Sequence, residues 1–228
     1  MKKTLFLSVS MLACVMVQAQ PIKSKTVGDG GSGPYKAIAI SEPTLPDHVV
    51  YRPSDLGQTH MLHGAMPVLL WANGGCSDSS LGYEQMLTEI ASHGYVVVAI
   101  GPFQEKSGDR KDGFTPSSDL LKALDWIDAQ GKTKGSDYYQ LVDLSRIAAA
   151  GHSCGGAQVL ANAADSRIST YLIMNSGMGD MEMAGASRAS LTNVHGPILY
   201  VVGGPSDVAH ANALKDYDRI SHQPVALA

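Results

Sequence analysis

Five residues, Gly151-His152-Ser153-Cys154-Gly155, constrain this chain more than any other stretch. They follow the apolar run Ile147-Ala148-Ala149-Ala150 and precede a small-residue helical pattern over 157–164. G-x-S-x-G between a strand and a helix dictates a sharp turn. The flanking glycines stand where no Cβ fits, and the strained backbone lifts the serine hydroxyl off the sheet edge, within reach of a base. The plainer reading is a Gly-rich strand-to-helix turn with an incidental serine. The strand–turn–helix setting favours a nucleophile.

The rest of the chain supplies a sheet to carry that turn. Continuous apolar runs at 67–71, 95–100, 147–150, 170–174 and 197–202 read as strands buried on both faces. Strand-like segments at 35–40 and 48–51 precede them, and residues from 225 onward begin another. Between them, 81–92 and the run carrying Leu120, Leu121, Leu124 and Ile127 have helical spacing, the second capped by Ser117 or Ser118. Strands alternating with helices predict an α/β fold with a mostly parallel central sheet covered on both faces. With 44% hydrophobic and 17% charged residues in 228, one domain with a sizeable core is expected over 35–228. Residues 20–34, polar and rich in glycine, read as a flexible mature N-terminus.

Residues 1–19 read as a signal peptide. Lys2-Lys3 is the basic start, 5–17 the apolar stretch, and Val17-Gln18-Ala19 a small-residue cleavage site. Cleavage removes both lysines, taking the net charge from −4 to −6. The apolar stretch is too short for a membrane anchor. A lipoprotein cut before Cys14 fits less well, because the apolar run continues past the cysteine. An exported protein, periplasmic or secreted, is the expectation. An acidic chain without a basic run excludes nucleic acid as a partner, and no run after residue 20 is long enough to span a membrane.

An activated serine needs a base, an acid to orient that base, and donors for the oxyanion. Asp207, just after the 198–202 strand, lies at the same sheet edge as Ser153 and is the preferred acid; Asp180, after the 170–174 strand, is its rival. Asp207 also suits a helix N-cap. The oxyanion donors are expected to be the backbone N–H groups of Cys154 and Gly75, the latter in the Asn73-Gly74-Gly75 loop. That loop is otherwise a plain turn.

The base is harder to place. His48, His60, His63, His93 and His195 precede strands and belong at the opposite edge, and His152 is locked in the turn. His210 falls on a helix surface, and His222 precedes the final strand, leaving both as fallbacks. The last residues, 224–228, form an apolar run with no covering helix. The expectation is a domain incomplete at its C-terminus, with the last strand unfinished, the closing helix absent and the base beyond residue 228.

Four segments together resemble the α/β-hydrolase superfamily, and within it secreted dienelactone-hydrolase-like and cutinase-like bacterial esterases. They are Gly33-Pro34-Tyr35; Ala91-Ser92-His93-Gly94-Tyr95-Val96-Val97; the elbow through Gly156; and 197–207 with 209–213. The resemblance implies Ser153 as nucleophile, Asp207 as acid, and Gly75 with Cys154 as the oxyanion hole. It also implies a Gly-His pair after the final strand, which this sequence lacks. No cofactor or metal is called for. In such a fold the loops carrying Cys76 and Cys154 face each other, so these cysteines form either a disulfide across the site or two small buried thiols.

The function expected is hydrolysis of a small-molecule or polymeric ester through an acyl-enzyme on Ser153. The loops at 104–112 and 174–183 are placed to shape an apolar pocket, although the methionines of the second also suit plain packing. A non-catalytic exported binding protein on the same fold is the alternative.

Overall fold

A computed structural model describes residues 21–108 and 113–228. The predicted signal peptide and residues 109–112 of the polar stretch lie outside them. The described chain forms a nine-stranded sheet in the order β1-β2-β3-β5-β4-β6-β7-β8-β9. The strands are β1 (Ser24–Lys25), β2 (Ala37–Ser41), β3 (His48–Pro53), β4 (Met66–Ala72), β5 (Val96–Ile100), β6 (Val142–His152), β7 (Thr170–Met174), β8 (Ile198–Val201) and β9 (Val225–Leu227). β4 to β9 run parallel, while β1, β2 and β3 pair antiparallel and β3 joins β5 antiparallel. The carboxyl ends of the six parallel strands therefore share one edge.

Alternation along the central strands sends side chains to both faces. Val68, Leu70 and Ala72 of β4 enter one core cluster, Leu69 and Trp71 the other. Over the first face lie α1 (Leu56–His63), α3 (Ser118–Lys132), α4 (Cys154–Ala161) and α5 (His210–Arg219). They contribute Leu56, then Leu120, Leu124 and Ile127, then Val159 and Leu160, then Ala213. Over the second lies α2 (Glu84–Ser92), through Leu87 and Ala91. At about 25 cal/mol per Å² of apolar surface removed from water, each such fully buried large side chain contributes about 1.5–3 kcal/mol. This is the mostly parallel sheet with helices on both faces that the strand–helix alternation predicts.

Four details differ from the sequence reading. Residues 21–34 are seated rather than flexible. β1 extends the sheet, Val27 is buried, Ser32 N donates to Glu89 Oε2 at 2.8 Å and Gly33 N to Ser92 Oγ at 2.9 Å. Glycine serves close approach there: a Cβ on Gly31 would stand 2.6 Å from that of Ser92. β6 begins five residues before the apolar run, at Val142; Leu144, Ser145 and Arg146 form an irregularity between the pairs Pro67↔Asp143 and Val68↔Ile147. α1 carries too few apolar residues to stand out in sequence. It is started by Asp55, whose carboxylate accepts from Gln58 N at 2.8 Å. Ser117 stands at the N-cap of α3 without a side-chain cap bond; its carbonyl accepts from Asn162 Nδ2 at 2.7 Å.

Candidate active site

Ser153 adopts φ 53°, ψ −121°, a left-handed backbone that costs a non-glycine residue about 1–3 kcal/mol. The turn is enforced by packing on all sides. A Cβ on Gly151 would stand 2.7 Å from Gly156 N, and one on Gly155 2.5 Å from the carbonyl carbon of Ala72. A Cβ on Gly156 would stand 2.6 Å from that of Ser176. The Ser153 N–H donates to Met174 O at 2.8 Å, binding the turn to the end of β7. Ser153 is half-buried, and its hydroxyl has no hydrogen-bond partner among the described residues.

Opposite the elbow, the loop after β4 is fastened at several points. Asn73 is buried; its Oδ1 accepts from Trp71 Nε1 at 2.9 Å, and its Nδ2 donates to Ser77 O and Ile100 O, each at 2.8 Å. Gly74 N donates to Tyr83 Oη at 3.0 Å. Cys76 O accepts from the backbone N–H and the hydroxyl of Thr115, at 2.8 and 3.0 Å. Thr115 is held in turn by Gln158 Nε2 of α4 at 2.8 Å. Cys76 is bonded to Cys154 through a disulfide with Cα atoms 5.1 Å apart. Gly75 projects from this clamped loop with φ 64° and nothing within 4 Å of a Cβ position. Its N–H has no acceptor among the described residues. The residues expected to supply both oxyanion donors, Gly75 and Cys154, thus flank or form one covalent bridge.

Asp207 sits in the turn between β8 and α5. Oδ1 accepts from Ala209 N at 3.0 Å; Oδ2 accepts from Gly203 N at 3.0 Å and Asn175 Nδ2 at 2.8 Å. The Ala209 N–H foremost, with those of Gly203 and the Asn175 amide, holds its carboxyl below the usual aspartate range, so it stays ionised. Asn175 directly follows β7, between β6 and β8, with Met174 paired to His152 on one side and Val201 on the other. Strands lie about 4.8 Å apart, so the Asp207 turn stands about 10 Å across the edge from the elbow. Asp180 is used otherwise: its carboxylate takes Lys215 Nζ at 2.7 Å and Arg219 Nη2 at 2.6 Å, which lower its pKa to about 2.

No histidine among the described residues bonds to Ser153 or Asp207. His93 bonds Glu89 at 3.0 Å, His195 the Tyr171 hydroxyl at 3.0 Å and His222 Val194 O at 2.8 Å, all at the amino edge of the parallel strands. His48 lies at the carboxyl edge, contrary to the sequence reading. β3 runs antiparallel and sets His48 level with Ile100, a direction that periodicity does not reveal. Its ring is buried against α3, with Nε2 2.9 Å from Asp119 O, three strands from the elbow. His210 opens α5 half-buried rather than on the helix surface, with its Nδ1 shielded and unpartnered.

The PETase family, described as PET hydrolase-like, matches residues 48–219. The chain belongs to that family. A curated relative, the protein named hydrolase ffsE of Aspergillus flavipes, is 33% identical over 145 residues, covering 61% of this chain. The chain spans 31% of that relative's length.

In this PET hydrolase-like chain the groove bordered by the loop after β4 and by the described part of the 104–112 loop is mainly polar. About 390 Å³ is lined by Gly74, Ser77, Ser79, Tyr83 and Gln104, among others, and Ser79 Oγ donates to Gln104 Oε1 at 2.8 Å. The methionine loop does not line it; Met178 packs in the core, whereas Met181 is exposed. Met178 is fully buried, and the backbone N–H groups of Met178 and Gly179 bind the carboxylate of buried Asp216, at 2.5 and 2.8 Å. Among the described residues no cluster of histidine, cysteine and carboxylate could hold a metal ion, and no helix is long and apolar enough to cross a membrane.

Sequence reasoning missed Asn73, Asn175 and Tyr83. The first two had a signal, since each directly follows an apolar strand at the edge where Ser153 emerges. Tyr83 comes from a 3₁₀ turn, Leu81–Tyr83, and had none.

Proposed function

We propose that this chain carries the nucleophile, acid and oxyanion donors of an exported serine ester hydrolase. The observation that carries the reading is Ser153 in left-handed backbone beside a disulfide-clamped loop with an unpaired N–H at Gly75. Ser153 Oγ attacks the ester carbonyl, its proton passing to the base. The N–H groups of Gly75 and Cys154 stabilise the oxyanion, and collapse expels the alcohol, which takes the proton, leaving an acyl-serine. Water, deprotonated by the same base, then attacks the acyl carbon and frees the acid. Asp207, kept ionised, orients the base. No histidine among the described residues bonds Ser153 or Asp207, so we assign the base to a histidine beyond residue 228, following β9, which runs parallel to β8 toward the carboxyl edge that also carries Ser153 and Asp207. The substrate class is a small-molecule or polymeric ester, entering by the groove next to Gly74 and Tyr83.

The test is hydrolysis of p-nitrophenyl esters by the full-length protein and its Ser153→Ala variant, with fluorophosphonate labelling located by peptide mass. A loss of several powers of ten in rate and an adduct on Ser153 are expected. Equal rates refute the nucleophile. No turnover and no adduct with the intact protein favour a non-catalytic binding protein.

A further inference from the structure

His152 is the variable residue of the elbow, and the mechanism above gives it no part. Its Nδ1 lies 2.9 Å from Tyr83 Oη, and the two rings meet at 5.7 Å. The same phenol oxygen accepts from Gly74 N at 3.0 Å. The contact is tight: a Cβ on Gly74 would stand 2.5 Å from Tyr83 Oη and 2.6 Å from His152 Nδ1. The Tyr83 ring is braced from behind by Trp71 at 5.0 Å, whose indole N–H is spent on Asn73. One phenol therefore touches both halves of the site, the oxyanion loop through Gly74 and the elbow through the residue before Ser153.

Proton accounting favours one direction for these bonds. A phenol has one proton, and Tyr83 Oη already accepts from Gly74. Among the described residues its one remaining partner is His152 Nδ1. Donation to Nδ1 satisfies both groups and is strengthened by the bond that the oxygen accepts. Nδ1 is then the lone-pair nitrogen, and the ring proton sits on Nε2. In that form neither nitrogen can serve as a base: one is bonded, the other protonated. His152 becomes a fixed strut between the loop and the elbow.

We propose that Tyr83 is a positioning residue for the reaction: its phenol ties Gly74 of the oxyanion loop to His152 of the elbow and holds His152 in the Nε2–H form. The inference rests on the serine hydrolase reading for its kinetic half, while its structural half stands alone. Removing one link between donor loop and nucleophile misplaces groups that matter in the transition state and leaves substrate binding nearly untouched.

The experiment has two arms on the full-length protein. The first is ¹⁵N NMR of His152, assigned by its loss in His152→Gln, recorded in the Ser153→Ala background. A protonated Nε2 with unprotonated Nδ1 is expected, and a mixed or Nδ1–H population is expected in Tyr83→Phe. A protonated Nδ1 in the parent overturns the proposal whatever the activity. The second arm is ester kinetics, where Tyr83→Phe is expected to lower kcat about 10- to 100-fold with KM within about twofold. Unchanged kcat, or a loss confined to KM, overturns it. Should Tyr83→Phe fail to fold, His152→Leu and His152→Gln replace it. Glutamine keeps an acceptor for the phenol and is expected to retain several-fold more kcat than leucine; equal losses overturn the proposal. Persistent activity in Ser153→Ala would sink the hydrolase reading while leaving the tautomer result intact.

Discussion

Replacing Cys76 and Cys154 together by alanine opens a covalent loop of 78 residues. Chain entropy then returns to the unfolded state. With a loss of about 2.1 + 1.5R ln n cal/mol/K on closure, 78 residues give about 15 cal/mol/K, or about 4.5 kcal/mol at 25 °C. A domain of this size unfolds with an entropy of about 0.4 kcal/mol/K, so the melting temperature is expected to fall by about 10 °C. Reduction by a strong thiol reagent under mild denaturant should reproduce the shift. Cys76 is fully buried, so reduction without denaturant is expected to be slow. Cys76→Ala and Cys154→Ala singly break the same bond, and each should cost nearly what the double variant costs rather than half of it. Calorimetric melts of the four proteins check this. A double variant melting within about 2 °C of the parent, or single shifts that add, would refute the argument. Turnover at 25 °C adds a second reading. The bridge joins the residue after Gly75 to the residue after Ser153, so kcat should fall about tenfold in the folded double variant with KM little changed.

Asp207→Asn is expected to lower kcat/KM by about three powers of ten while Asp180→Asn, which breaks ion pairs with Lys215 and Arg219, stays within about threefold; ester kinetics on both variants separate the two acids. Gly155→Ala drives a Cβ into Ala72 backbone that cannot yield and should cost about 3 kcal/mol or more, whereas Gly75→Ala meets open space and costs only its left-handed φ, about 1–2 kcal/mol; urea melts rank them. Burial raises the pKa of Asp216 above the aspartate value, against the pull of the Met178 and Gly179 N–H groups. Its contribution to stability is therefore fully present below the unfolded pKa of about 3.9 and lost as pH rises through the folded value. The melting-temperature advantage of the parent over Asp216→Asn should shrink from pH 4 to pH 7, and an advantage that widens would show the sign to be wrong.

What could be read from the amino acids follows what each pattern costs to fake. β4 and β5 are unbroken apolar runs because both their faces are covered, while β7 fully buries one face and half-buries the other; the sequence boundaries match all three within about a residue. β1 and α1 were invisible for the opposite reason. A two-residue edge strand needs no apolar pattern, and α1 buries only Leu56 and Thr59 while Met61 and Leu62 face solvent. Strand direction was equally hidden. His48 opens β3 much as His195 comes just before β8, but only pairing tells that one strand runs against the sheet and the other with it.

The site divides along the same line. Ser153 was legible because local sterics demand its glycines: the backbone of neighbouring residues occupies the space of each missing Cβ. Asp207 was legible from its place after a strand, yet what holds its carboxyl ionised is the fan of N–H donors from Ala209, Gly203 and Asn175, the last of them 32 residues away in sequence. Tyr83 lay beyond reach because its role depends on a tertiary meeting of three segments, with His152 69 residues from Tyr83 in sequence, and a tyrosine at a helix start looks like any other. The elbow and the loop after β4 act as one unit. Each is strained or left-handed on its own, at Ser153, Gly75 and Cys76, and each is held by bonds whose other end lies on the opposite loop or on α4. Loosening either side would let both relax, so the N–H groups of Gly75 and Cys154 keep a common aim only while the disulfide and the Tyr83 phenol hold the two loops together.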